Sequence, residues 1–281
     1  MLIRQQPCQL DHFISKNLFA DLSFRLFDTV LNEHEEGLRI MLSRSIITVA
    51  GITLSTLGTW GVPNASAAAT LTAGSSASAA SASFVVNGKA GKLAPQAVAS
   101  GKAPPNYNKV VSVPTLQKSQ TFDILTLSAT ANNVKDAASS TSQTGAITSV
   151  SSASIDSLSG MITTPLGTAL TMSGKKLVSS ASLAKATKNT PAATVSLGSL
   201  TISSSAFGIN KSYTGKPKPN FILYQNSDKS VTVYLNRQIK KTTSGNVTSI
   251  SVSAVDLHVK NYSYAGQTVS GDLYVATSNA N

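Results

Sequence analysis

The chain has 281 residues and a formal charge of +11, and residues 1–40 hold six of the twelve acidic residues against four of the twenty-three basic ones. From residue 68 onward eighteen basic residues stand against six aspartates, and seventeen of the eighteen are lysine, a mobile hydrated point charge; this argues against base-specific nucleic-acid reading and for solubility or loose attraction to an anionic surface. Cys8 is the lone cysteine, which excludes a disulfide frame or a thiolate metal site downstream, and about 210 residues suffice to hold a domain together by its core alone.

Residues 1–40 carry Leu10, Phe13, Ile14, Leu18 and Leu22 near helical spacing. After them come Met41-Leu42-Ser43-Arg44, an apolar run from Ile46 to Val62, the breaker Pro63, and Ala65-Ser66-Ala67. A short positive start, an apolar stretch and an A-x-A site are the three regions of a secretory signal. The reading is therefore an over-extended N-terminus at 1–40, a signal peptide at 41–67 cleaved after Ala67, a secreted product, and no membrane span in the mature form. Residues 68–82 are nearly all Ala, Ser, Thr and Gly, and read as a flexible linker ahead of a β-domain at 83–281.

Ala82 to Asn87 predicts a first strand closed by the Asn87-Gly88 turn. Pro95, Pro104, Pro105 and Pro114 keep the next thirty residues from long regular elements, with Lys109 to Val113 pairing as an edge. Thr121 to Ala131 reads as a strand, Asn132 to Gly145 as a loop, and Ala146 to Ile162 as a long serine-laced extended run. Lys176 to Ala186 continues after a turn at Pro165, and in Thr194 to Ile202 the apolar parity switches at Gly198, where a bulge fits.

The clearest alternation lies between Pro219 and Lys260. Phe221 to Tyr224 is a short strand. In the next one Val231, Val233, Leu235 and Ile239 face inward with Arg237 on their side, while Thr232, Tyr234, Asn236, Gln238 and Lys240 face outward. Ser244-Gly245-Asn246 turns the chain, and the return strand passes from Ile250, Val252 and Ala254 to Val255, Leu257 and Val259, which predicts a bulge at Ala254–Val255. Asp272 to Thr277 is the final strand. With no useful helical period after residue 68, the fold class is all-β: a mainly antiparallel sandwich or barrel, with a β-helix as the alternative.

Three pieces of this pattern resemble the choice-of-anchor P proteins, secreted bacterial β-domains whose members carry different surface anchors. Val150 to Met161, with Leu158-Ser159-Gly160, is similar to that family's serine-rich ladder. Leu200-Thr201-Ile202 followed by Pro219-Asn220 is similar to its "L-T-I … P-N" segment, and Val231 to Gln238 to its "V-T-L-N-x-Q" strand. The resemblance covers roughly residues 83–281 and implies an exported extracellular domain with no known activity. Arg237 and Ser253 depart from the family's usual acidic residue and asparagine, and no LPxTG-like motif precedes Asn281.

For chemistry, Asp256, His258 and Lys260 share one strand face, but neighbours of this kind sit roughly 7 Å apart along a strand, and no G-x-S-x-G elbow exposes a nucleophile. Glutamate is absent after Glu36 and the aspartates are scattered, so a two-carboxyl glycosidase and a metal centre are both unexpected, and no cofactor is implied. The five Gly-Lys pairs lack the P-loop spacing. There remains an aromatic and basic set, Tyr213, Lys216, Lys218, Tyr224, Tyr234, Lys240, Lys241, Lys260, Tyr262 and Tyr264, as a candidate polysaccharide- or anion-binding face. The alternative use of these residues is to shield a sheet and blunt its edges. The expectation is a non-catalytic structural or binding domain that attaches loosely to anionic wall polymer or polysaccharide. The runner-up is a hydrolase acting on wall polysaccharide.

Overall fold

The structure, a computed structural model, describes residues 71–264 and 266–281; the expected N-terminal extension and signal peptide lie outside them. Thirteen strands form two antiparallel sheets. Strands β4 (Tyr107–Phe122), β5 (Leu125–Gln143), β6 (Ala146–Thr164), β7 (Gly167–Lys185), β8 (Thr190–Ser204) and β9 (Ile209–Gly215) follow one another as a six-stranded meander. The other sheet runs β10 (Phe221–Gln225), β11 (Val231–Thr243), β12 (Asn246–Tyr264), β13 (Gln267–Ala280) and β1 (Ala73–Val86). Two short strands, β2 (Lys89–Leu93) and β3 (Ala99–Ala103), share the far side of β1. The inner faces pack into one main core, so the arrangement is a sandwich. Neither sheet closes on itself, which sets aside the barrel and β-helix alternatives.

One transverse line organises both sheets. In the meander the four ladders from β4 to β8 each omit one pair at the same level, passing through Pro114, Asn133, Asp156, Lys176 and Gly198, while the residue count on either side stays in register. The larger sheet repeats this through Asn236, Ala254, Ala276 and Ala79. Every second strand holds a left-handed residue there: Asn133 (φ 50°), Lys176 (φ 50°), Asn236 (φ 52°) and Ala276 (φ 47°). Asparagine adopts this region more readily than other L-residues, whereas lysine and alanine are held there at a steric cost. Across the line the inward positions change parity, from Leu125, Leu127 and Ala131 to Val134, Asp136 and Ala138 in β5, and from Val252 and Ala254 to Val255 and Leu257 in β12.

This crease accounts for several departures from expectation. The bulge expected at Ala254–Val255 is not there; the pairing Leu235↔Val255 and Arg237↔Ser253 keeps one register. The bulge at Gly198 is present toward β9, where the register shifts between Leu197 and Leu200. Thr121 to Ala131 is broken by a turn at Asp123 and Ile124, and the loop expected from Asn132 is the second half of β5. The proline-bearing region holds the 16-residue edge strand β4, with Pro114 at the crease. Residues 73–82, expected in a flexible linker, are most of β1, paired with both β13 and β3.

The reason β1 looked like a linker is the composition of one end of the core. On one side of the crease the sheets are separated by Phe84, Leu127, Leu158, Met172, Leu200, Val233 and Leu257. On the other, the central columns are Ala77, Ala138, Ser149, Ser151, Ser179, Ala181, Ser278 and Ala280, all buried, with the larger Ile147, Ile155, Leu177, Leu183, Leu197 and Ile250 also buried on that side. Such short side chains leave the sheets close enough for direct bonds between them. Ser179 Oγ lies 2.7 Å from Ser278 Oγ, Ser278 Oγ donates to the Ser179 carbonyl at 3.2 Å, and Ser151 Oγ donates to the Asn279 carbonyl at 2.8 Å. Burial without these partners would cost each hydroxyl its solvation.

The close approach makes a size prediction that opposes hydrophobicity. In urea denaturation Ser278→Ala loses about 1 kcal/mol or more, because the Ser179 hydroxyl is stranded. Ser278→Val loses about 1–3 kcal/mol further, because the gap has no room for two methyl groups. A valine variant at least as stable as the alanine variant would show the gap to be roomy.

Candidate functional site

The outer face of the larger sheet carries a compact group of ionisable side chains, and the crease builds it. Ordinary alternation puts Tyr234 and Arg237 on opposite faces. The left-handed turn at Asn236 brings both to the outside, with the Arg237 guanidinium 4.1 Å from the centre of the Tyr234 ring, a cation–π distance. Asn236, expected on the outward face, takes the inward place instead, donating to the Pro217 carbonyl at 2.9 Å and accepting from Gln238 Nε2 at 2.9 Å. Arg237 is thus not on the inward side as expected. Ile239, also expected inside, is exposed.

Cross-strand register adds the acids. Tyr234, Asp256 and Tyr274 stand side by side on β11, β12 and β13, and the neighbouring outward rung is Thr232, His258 and Asp272. His258 Nδ1 lies 2.6 Å from Asp272 Oδ1, with the two side chains 42% and 31% exposed. Asp256 is 4% exposed, and its Oδ2 is 3.8 Å from Arg237 Nε, an ion pair too long for a hydrogen bond. Asp256 Oδ1 and Arg237 Nε have no hydrogen-bond partner. Burial, reinforced by the Asp272 charge and opposed by Arg237 and His258, pushes the Asp256 carboxyl up to about 6. Burial and the two aspartates push the Tyr274 phenol up to about 12.

Reasoning along β12 alone missed the Asp–His pair, because the partner of His258 is on β13. A two-residue hairpin with Tyr264 opposite Gln267 would set His258 across from Leu273; a shift of one residue between Val259 and Tyr262 puts it opposite Asp272. The hairpin was readable in outline from Gly266, and the irregularity was not. The pair orients a base, but among the described residues no serine or threonine hydroxyl is hydrogen-bonded to His258, so the nucleophile of a triad is not assembled.

The expected aromatic and basic set does not gather on one face. Tyr234 belongs to the group above. The Tyr224 hydroxyl donates to the Phe207 carbonyl and the Tyr262 hydroxyl to the Ala206 carbonyl, so both pin the turn between β8 and β9. The Tyr262 ring also meets Phe207 edge-on at 4.9 Å. Tyr213 packs on Phe221 at 5.3 Å across the β9–β10 seam, and Tyr264 lines a small apolar cavity with Phe84 and Phe207. Lys216, Lys218, Lys240, Lys241 and Lys260 are exposed, on the β9–β10 connection, the far end of β11 and β12.

A second acid lies in the interior. Asp136 is fully buried on the inward side of β5, and neither of its oxygens has a hydrogen-bond partner. The Ala79 amide opposes the effect of burial but already donates to the Gln96 carbonyl at 2.9 Å. Burial pushes this carboxyl up to about 8 from its ordinary 3.8. An unfolded chain ionises these aspartates near their ordinary values, while the folded one keeps its protons longer. The folded state therefore binds more protons from about pH 4 to about pH 6 for Asp256 and to about pH 8 for Asp136, and stability falls as pH rises through those windows. Thermal unfolding should show this decline. Asp256→Asn should flatten it below about pH 6, and Asp136→Asn should raise the melting temperature at neutral pH and flatten it up to about pH 8. An Asp136→Asn profile that overlays the wild type would mean that the acid is ionised in the fold.

No family model, curated protein or solved structure matches this chain.

Proposed function

We propose that the chain is a secreted or cell-surface β-domain, the extracellular setting being what its resemblance to the choice-of-anchor P proteins implies, and that it is non-catalytic and attaches loosely to anionic wall polymer or polysaccharide through its lysines. The observation that carries this reading is an unneutralised lysine surface. Sixteen of the seventeen lysines after residue 68 are exposed, and among the described residues Lys89–Asp123, at 3.2 Å, is the lysine ion pair. The acids that could balance them are partly withdrawn: Asp136 is enclosed, Asp256 is nearly so, and Asp272 is engaged by His258. Exposed charges of one sign act together at distances up to a Debye length, about 8 Å at physiological salt, and attract polyanions without a shaped pocket.

A second reading, a hydrolase acting on wall polysaccharide, is favoured by the His258–Asp272 pair beside Asp256. A pull-down on insoluble wall and polysaccharide preparations separates the two. Attachment through lysines gives retention on acidic polymers that is lost by about 0.2–0.5 M salt, with no reducing ends released. Failure to bind at low salt sinks the reading. Release of reducing ends that disappears in His258→Ala would favour the hydrolase.

A further inference from the structure

A half-open cavity of about 360 Å³ lies where β1, β3 and the end of β13 meet the edge strand β4, within the size range of small-ligand sites. We infer that it binds a sugar residue bearing an anionic group, a carboxylate or a phosphate. This rests on the reading of the domain as an anionic-polymer binder and gives that reading one defined subsite.

Its walls are set by register. Ser100, Ser76 and Asn279 are aligned across β3, β1 and β13 on the outward side, and Lys102 stands beside Gly74 on the next outward rung. Gly74 exchanges backbone hydrogen bonds with Asn281 at 2.6 and 2.8 Å. A Cβ at Gly74 would fall 2.5 Å from Asn281 Oδ1, so the glycine is what lets that amide lie against the floor. Under the floor, Gly101 leaves room for the Tyr107 ring, whose hydroxyl is 2.8 Å from Ser75 Oγ. Lys109 comes from β4.

The donor set selects the ligand. Lys102 and Lys109 bring two ammonium groups, and among the described residues neither is in an ion pair. Ser76, Ser100, Asn279 and Asn281 add hydroxyls and amides of both polarities, with the Asn279 amide donating to Ser76 Oγ at 3.2 Å. No aspartate, aromatic or aliphatic side chain lines the cavity. A ligand with one anionic group next to several hydroxyls meets the lysines and the amides together.

The test titrates the full chain with a galacturonate hexamer, with maltohexaose as the neutral counterpart and inorganic phosphate as the bare anion. Two double variants remove equal charge: Lys102→Ala with Lys109→Ala in the cavity, and Lys240→Ala with Lys241→Ala far along β11. The acidic hexamer should bind more tightly than maltohexaose or phosphate. It should weaken about tenfold or more in the cavity variant, as for charges that contact an anion, and about twofold or less in the distant one. Gly74→Ala should weaken it too without altering charge. Equal losses in the two double variants, or equal affinity for the neutral hexamer, would overturn the cavity site. The two ideas fail separately. Salt-sensitive retention on polymer with cavity-independent hexamer binding removes only the subsite. Cavity-dependent hexamer binding without polymer retention removes only the surface-attachment reading.

Discussion

The rest of the structure depends on the line at which nine strands turn their faces over, keeping their register across it everywhere but toward β9. Strands of 19 residues, as in β5, β6, β7 and β12, are several times the usual length, and uninterrupted alternation would give each a single inward set from end to end. The crease divides each into two shorter alternations out of phase by one. It does so collectively: a parity change in one strand alone would put that strand's apolar set on the outside, so its neighbours must change at the same level. That is why Lys176 and Ala276 adopt positive φ although neither residue favours it.

The two ends then solve the burial problem differently. One fills its central columns with branched and aromatic side chains, with Phe84 and Phe122 edge to face at 5.7 Å. The other places alanine and serine in its central columns, where hydroxyls bond across the gap, and sets Ile147, Ile155, Leu177, Leu183, Leu197 and Ile250 around them. Dispersion between closely packed sheets and satisfied hydroxyls replace part of what larger side chains would contribute. Asp136 shows the cost of the arrangement. Before Asn133 the even positions of β5 face solvent, and the crease turns Asp136 inward, into a column where nothing pairs with it.

How much of this was legible depends on the same division. The hairpin of β11 and β12 could be read because Val231, Val233, Leu235, Val252, Val255, Leu257 and Val259 alternate clearly within each half, and all seven are buried. The parity switches were visible too, but a single chain offers a bulge as the local explanation, and a crease shared by nine neighbouring strands is evident only once they are aligned. The small-residue end was illegible for a different reason. Alanine and serine have weak strand propensity and little apolar area, so Ala73 to Ala82 looks the same as a linker until the opposing sheet is known. The site split likewise: Asp256 and His258 were recognisable as a shared face, whereas Asp272 joins them through a one-residue shift in β13 pairing.

The lysines carry two demands that the fold separates. β4 is hydrogen-bonded on one side only, and Lys109, Pro114 and Lys118 along it are the kind of residues that discourage a further strand from adding to a free edge. Edge protection requires charge but no arrangement around it; a lysine serves wherever it projects into solvent. Recognition requires charge together with fixed hydrogen-bonding groups, and Lys240 and Lys241, on the exposed end of β11, have only the first. Lys109 meets both conditions, because the turn through Pro104 and Pro105 brings its edge strand against β3 and the Ser76–Asn279 rung. A basic composition alone gives attraction without selectivity. Selectivity can arise only where the sheet register places neutral donors and acceptors beside the charge, and the crease decides which of those side chains the register turns outward.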